Sequence, residues 1–295
     1  MRTLCAALAI CTCLATPAFA QAEEAEEATG DTPWSLSFGV GSSLVSDSKD
    51  PWSTSADLTR TIGDASLSLG FARSKDPGSP EVPTALGSTT NQFTLSGGYG
   101  FGSVGLSVYG SYGKRKFDGR TYQTRKGNPV TIDCSGKSYG LGATATLWLP
   151  LDEKTSISPY ASIDYDSTET ANAVVLPQRG LVSVKQKEKG TTGSFGASLD
   201  RSFGKDAAHS ISLNAAFVTT SNSAAASSNI KLRSGIAQRL RPLAGGGGSD
   251  SWFEYGASLY FTVNDVIGLS VSASRTAGLP GPQSTSLYSG LSFSF

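Results

Sequence analysis

The chain closes on Leu287-Tyr288-Ser289-Gly290-Leu291-Ser292-Phe293-Ser294-Phe295. Near the end every second residue is bulky: Leu291, Phe293 and Phe295, with Gly290, Ser292 and Ser294 between and before them. That alternation has the period of a β-strand, whose side chains point to opposite faces in turn. Chain ends fray into solvent unless something ties them down. A strand that runs to an aromatic carboxyl terminus therefore calls for a partner strand.

The same alternation recurs upstream. Leu36, Phe38 and Val40 alternate with Ser37, Gly39 and Gly41, and Leu67, Leu69 and Phe71 with Ser66, Ser68 and Gly70. Phe93, Leu95, Tyr99 and Phe101 follow the same rule. So do Val104, Leu106, Val108 and Tyr112, and Tyr139, Leu141, Ala143, Ala145 and Leu147. Further runs lie at 157–165, 195–203, 211–217, 253–261 and 267–273. One face of each strand is apolar. The other is largely Ser, Gly, Thr and Asp.

The totals narrow the class. Of 295 residues only 16% are charged, below the roughly 25% of an average soluble domain. Twenty-four basic residues balance 24 acidic ones. A net charge of zero, with no basic helix and no zinc spacing, argues against nucleic acid as a partner.

The amino terminus reads as a secretory leader. Arg2 gives a positive start, Leu4 to Leu14 an apolar core, and Ala18-Phe19-Ala20 a small-x-small cleavage site, so residues 1–20 are expected to be removed after Ala20. The apolar run is too short to span a bilayer, which takes about 20 residues. Cys5, Cys11 and Cys13 would leave with it. Cys134 alone can form neither an internal disulfide nor a metal cluster, and no cofactor is implied. Residues 21–33 are acidic, lack large apolar side chains and read as a linker. Residues 34–295 hold the strands.

Two all-β architectures share the alternation. A soluble sandwich buries its apolar faces together. A membrane barrel turns them to lipid. Connection lengths favour the barrel. Residues 62–64, 102–103, 149–154 and 203–208 are short links, whereas 74–90, 116–135 and 169–187 are long and polar. Short turns at one end and long loops at the other mark an outer-membrane barrel. Trp34, Trp52, Tyr99, Phe101, Tyr112, Trp148, Trp252 and Phe261 fall near strand ends, as interfacial aromatic girdles would.

With that picture in place, Tyr288, Gly290, Phe293 and Phe295 resemble the carboxy-terminal sorting signal of bacterial outer-membrane proteins. The resemblance implies recognition by the barrel assembly machinery and residence in the outer membrane of a Gram-negative bacterium. Thirteen segments qualify as strands, but bacterial single-chain barrels have an even number. The segment 228–241 is the suspect, because Leu232, Ile236 and Leu240 also fit a helix. An antiparallel up-and-down barrel of twelve strands follows, with 222–250 as a long outer loop. Fourteen is the alternative. Twelve strands and a terminal Phe resemble the translocator domain of autotransporters, although no passenger domain fits between Ala20 and Pro33. Small-solute porins compare equally well.

Enzymatic chemistry is not expected. Barrel hydrolases generally pair a His with an acid or a Ser. The single histidine, His209, sits beside the 203–208 turn and reads as a solvated turn residue. Residues 244–250 lack the Lys-Ser/Thr of a phosphate loop. Asp164 and Asp166 point inward from one strand, where an ion pair is the simplest role. Lys114, Arg115, Lys116, Arg120, Arg125, Lys126, Arg179, Lys185 and Lys187 gather on the outer side. They suit lipopolysaccharide phosphates, or an anion-selective vestibule. Two functions remain open: a passive channel for small solutes, anions among them, and a closed barrel whose loops contact lipopolysaccharide or external partners. The oligomeric state is open too.

Overall fold

The computed structural model describes residues 34–44, 51–76, 86–123, 129–132, 134–176, 180–222, 225, 231–233, 236–238, 248–278 and 284–295. The leader, its Ala18 and Ala20 cleavage site and the acidic linker lie outside the described residues.

Twelve antiparallel strands form one closed wall. They are β1 Trp34–Leu44, β2 Trp52–Ile62, β3 Ala65–Asp76, β4 Ser88–Phe101 and β5 Val104–Phe117. Next come β6 Ser135–Leu147, resuming after Trp148 as Leu149–Pro150, β7 Thr155–Leu176 and β8 Gly180–Phe203. The circuit ends with β9 His209–Thr220, β10 Asp250–Thr262, β11 Ile267–Ala277 and β12 Thr285–Ser294. Each strand pairs with its neighbours in sequence, and β12 pairs with β1. Closure leaves no strand edge in the wall, which is what lets a sheet cross a membrane.

The carboxyl terminus is tied down at this seam. The Trp34 N–H donates to the Phe295 carbonyl at 2.8 Å, and the Phe295 N–H to the Trp34 carbonyl at 2.9 Å. Gly39 pairs with Gly290, and the Phe38 and Phe293 rings meet edge to face at 6.4 Å.

The apolar faces point outward. Leu141 is 62% exposed and Phe195 67%, whereas the inward Ser138 and Thr168 are 0% exposed. A sandwich would reverse this order, so the exposed side is the one that meets lipid. On β5 the outward apolar run goes from Val104 to Tyr112, about nine residues, close to the 9–11 or so that a tilted strand needs to cross a bilayer. No helix among the described residues is long and apolar enough to cross.

Short turns lie at the end of the wall that holds Trp34 and Phe295. Ile62 pairs with Ala65 and Phe101 with Val104, giving two-residue hairpins. Gly63 (φ 54°) and Gly102 (φ 60°) supply the left-handed residue that such turns require. In the turn 263–266 the Asn264 side-chain oxygen accepts N–H bonds from Val266 at 3.0 Å and Ile267 at 2.8 Å. At Asp152 the carboxylate accepts the Lys154 N–H at 2.8 Å. That bond, then the Thr155 hydroxyl, holds the Asp152 carboxyl below the usual carboxylate range.

Two sequence expectations change at the other end. The span 169–187, expected as a loop, is a continuation of β7 and β8, paired up to Leu176 and Gly180. Two adjacent strands can keep pairing beyond the membrane without an apolar face, so alternation does not mark where they end. Second, 228–241 is neither a wall strand nor, where described, a helix. Lys231–Arg233 and Ile236–Gln238 form a small hairpin. β9 and β10 pair directly from His209–Phe261 to Thr220–Asp250, which leaves no place between them. The sequence count of twelve stands and fourteen does not.

Candidate functional site: the lumen wall and the outer rim

Strand parity decides what lines the lumen. Asp57, Asp164, Asp166, Glu188, Asp200 and Glu254 occupy inward positions. Among the described strand residues the inward base is Arg115, which is buried. Its flanking residues Lys114 and Lys116 are exposed on the outside. The sequence placed Arg115 with the outer basic residues. The structure turns it inward because β5 continues in register to Phe117.

The inward polar groups are held by neighbours. Arg115 Nη1 donates to Thr168 Oγ1 at 2.8 Å and to the Glu169 carbonyl at 3.3 Å, and Nη2 to Ser88 Oγ at 3.0 Å. Its guanidinium lies 5.4 Å from the Phe117 ring centroid. The Tyr109 hydroxyl donates to Asp164 Oδ1 at 2.8 Å, so Asp164 binds a phenol there. Asn222 Nδ2 donates to Glu188 Oε2 at 2.8 Å.

Trp252 corrects a girdle expectation. It is 2% exposed, faces inward, and donates from Nε1 to Glu254 Oε1 at 2.8 Å. It packs with Tyr160, Ala216 and Val218. Its neighbour Phe253 is the outward residue, stacked with Phe217 at 5.3 Å. Trp52, Tyr99, Phe101 and Phe261 do face outward.

Tyr288 of the sorting pattern also points inward. Its hydroxyl shares a 2.7 Å hydrogen bond with Ser55 Oγ, and its ring covers Gly39 and Gly41 of β1, where a Cβ would collide with it. Tyr109 covers Gly142 and Tyr160 covers Gly196 in the same way. The glycines on the polar face thus make room for tyrosines of the adjacent strand. The sequence reading missed Tyr109 and Tyr160; the signal that marks them is a lone aromatic on an otherwise polar face.

His209 begins β9 at the short-turn end. It lies between Phe203 and Phe261, with ring centroids 5.5 and 5.6 Å away, so it belongs to an aromatic cluster, not a solvated turn.

The outer rim carries a group of exposed cations. Lys114, Lys116, Lys185 and Lys187 are exposed at outward positions. The side chain of Arg120 and residues Arg125, Lys126 and Arg179 lie outside the described residues. Lys75 forms an ion pair with Asp118 at 2.6 Å.

Comparison with known proteins agrees with this architecture. Residues 81–274 match the family described as Autotransporter beta-domain. The chain belongs to the autotransporter beta-domain family. The translocator domain of the autotransporter NalP from Neisseria meningitidis superposes with a TM-score of 0.62 at 14% identity, over 94% of this chain and 93% of that one. The beta domain of the Bordetella autotransporter BrkA gives 0.58 at 15% identity, over 89% and 98%. LpxR from Salmonella typhimurium gives 0.50 at 8% identity, over 88% and 99%. At these identities the likeness shows the barrel fold. No curated protein matches the sequence significantly. The autotransporter-type barrel is an outer-membrane protein, and its lumen and rim are where a function would reside.

Proposed function

We propose that this autotransporter-type barrel is a passive outer-membrane channel for small solutes, with a lumen that favours cations over anions. The observation that carries this reading is the sorting of charge by strand parity. Carboxylates at Asp57, Asp164, Asp166, Glu188, Asp200 and Glu254 face in, while Lys114, Lys116, Lys137, Lys185 and Lys187 face out. Rings of Asp or Glu select for cations in water-filled pores. The anion vestibule considered from the sequence needs its lysines at the lumen, and the exposed ones described here stand on the other face.

A second reading is a closed barrel acting through its exterior, in contact with lipopolysaccharide. Supporting it, the outer part of the lumen is filled around Arg115, Thr168 and Asp166, with Leu86, Phe117, Cys134 and Ala171 clustered above. Conductance of the folded protein in a planar bilayer, with reversal potential in a salt gradient, separates the two. Stable steps with cation preference support the channel. Anion preference overturns the selectivity. Silence from folded protein favours the closed barrel.

In either case removal of residues 1–20 after Ala20 and recognition of Tyr288, Gly290, Phe293 and Phe295 by the assembly machinery remain part of the proposal. Mass analysis of the mature amino terminus tests the first.

A further inference from the structure

The outward face of β3 to β6 changes character abruptly at its outer end. Phe71, Phe93, Tyr112 and Tyr139 are register partners across four adjacent strands. The Phe71 and Phe93 rings meet at 5.1 Å and the Tyr112 and Tyr139 rings at 5.3 Å, both pairs tilted. Two residues further out on each strand stand Arg73, Asn91, Lys114 and Lys137, which are register partners as well. All four are exposed. Two residues beyond Lys114 comes Lys116, also exposed.

Lys114 and Lys137 stand directly opposite one another on the same face. Like charges so placed destabilise a sheet. Neither they nor Lys116 forms an ion pair among the described residues. Two acids lie nearby: Glu169, whose Oε2 accepts the Lys137 backbone N–H at 3.0 Å, and Asp118, two residues beyond Lys116, which pairs with Lys75 at 2.6 Å. Among the described residues, the strands from β9 round to β2 lack this arrangement. Outward residues near the outer ends of β9, β10, β12 and β2 include Thr219, Ser251, Leu287 and Trp52, with Arg275 as the cation of β11.

We propose that this strip binds one phosphorylated glycolipid of the outer leaflet. Its phosphate sits between Lys114 and Lys137, with Arg73 and Lys116 at the flanks. Its acyl chains lie on Phe93, Tyr112 and Tyr139. A phosphate there cancels the lysine repulsion with charge-assisted hydrogen bonds, and the aromatic row is the apolar surface beneath it. The proposal rests on the reading that the exterior meets lipopolysaccharide, and it locates that contact on the wall.

The test uses the purified, folded protein in detergent with bisphosphorylated lipid A as probe and dephosphorylated lipid A as comparison. Binding is read as the rise in thermal unfolding temperature with lipid concentration. The wild type is expected to bind the bisphosphorylated form at least about tenfold more tightly than the other. Lys114→Gln/Lys137→Gln should lose that difference, while Lys154→Gln/Lys205→Gln, at the short-turn end, should keep it. Without lipid, Lys114→Gln/Lys137→Gln should unfold at a higher temperature, because the repulsion is gone. Should that pair fail to fold, Lys137→Gln alone carries both expectations. Wild type that ignores the phosphates overturns the lipopolysaccharide reading itself. Wild type that discriminates while the variants do so equally overturns only this site. Full competition by free pyrophosphate overturns the lipid in favour of a simple anion site.

Discussion

Trp34 and Phe295 exchange both backbone hydrogen bonds, at 2.8 and 2.9 Å, and so join the first residue of the wall to the last residue of the chain. Phe295 stands at the short-turn end, and β12 is held on one side by β1 and on the other by β11. The alternating terminus is a structural strand of a closed barrel.

Because the seam is formed by the chain end, Phe295→Ala is expected to reduce the amount of folded protein in the outer membrane. Removal of 293–295 should do so more severely, by taking out pairs with β1. Heat-modifiable migration of membrane-fraction protein reads both. Wild-type levels for the deletion would count against the closure role.

Gly41 lies under the Tyr288 ring and Gly142 under Tyr109. Gly41→Val should force that ring aside and lower stability by about 1–3 kcal/mol, the usual cost of overpacking. Tyr288→Phe removes the bond to Ser55 and should cost about 0.5–1.5 kcal/mol. Urea unfolding in lipid vesicles measures both, and the larger loss belongs to the glycine variant.

Arg115 is the inward base among the described strand residues, whose inward positions also hold several carboxylates. If the lumen conducts, Arg115→Gln should shift the reversal potential further toward cations, and Asp57→Asn should shift it back. Bilayer recordings in a salt gradient give the sign. Equal potentials for both variants would place these groups off the conduction path.

Asp152, in the exposed turn 151–154, has its carboxyl lowered by the Lys154 N–H and the Thr155 hydroxyl. A lowered folded value means that its contribution is present at neutral pH, above the unfolded value, and is lost as pH falls through the folded value. Carbon-detected titration should find Asp152 protonating below the usual carboxylate range. Lys154→Pro, which deletes the donor, should move it upward.

Much of the wall was legible in the residues. Alternation placed Leu67, Leu141 and Phe195 on one face, and short links such as 62–64 and 102–103 fixed which end held the turns. The rule of even strand number dismissed 228–241 before any coordinates. These features are local, since period two and a left-handed glycine act within a few residues. What lay beyond reach was set by neighbours across the sheet. Arg115, Lys114 and Lys116 are adjacent in sequence, yet one faces the lumen and two face outward, because β5 runs further than its apolar signal. Trp252 reads as a girdle residue from its place near a strand end, yet its parity, opposite to that of Phe253, turns it inward to bond Glu254. The pairing of Lys114 with Lys137, and of Tyr288 with Gly41, depends on which strands meet and at what stagger. Sequence alone determined the strands, their amphipathic faces and the barrel class. Tertiary structure decided the partners, because register couples residues that the chain itself holds far apart.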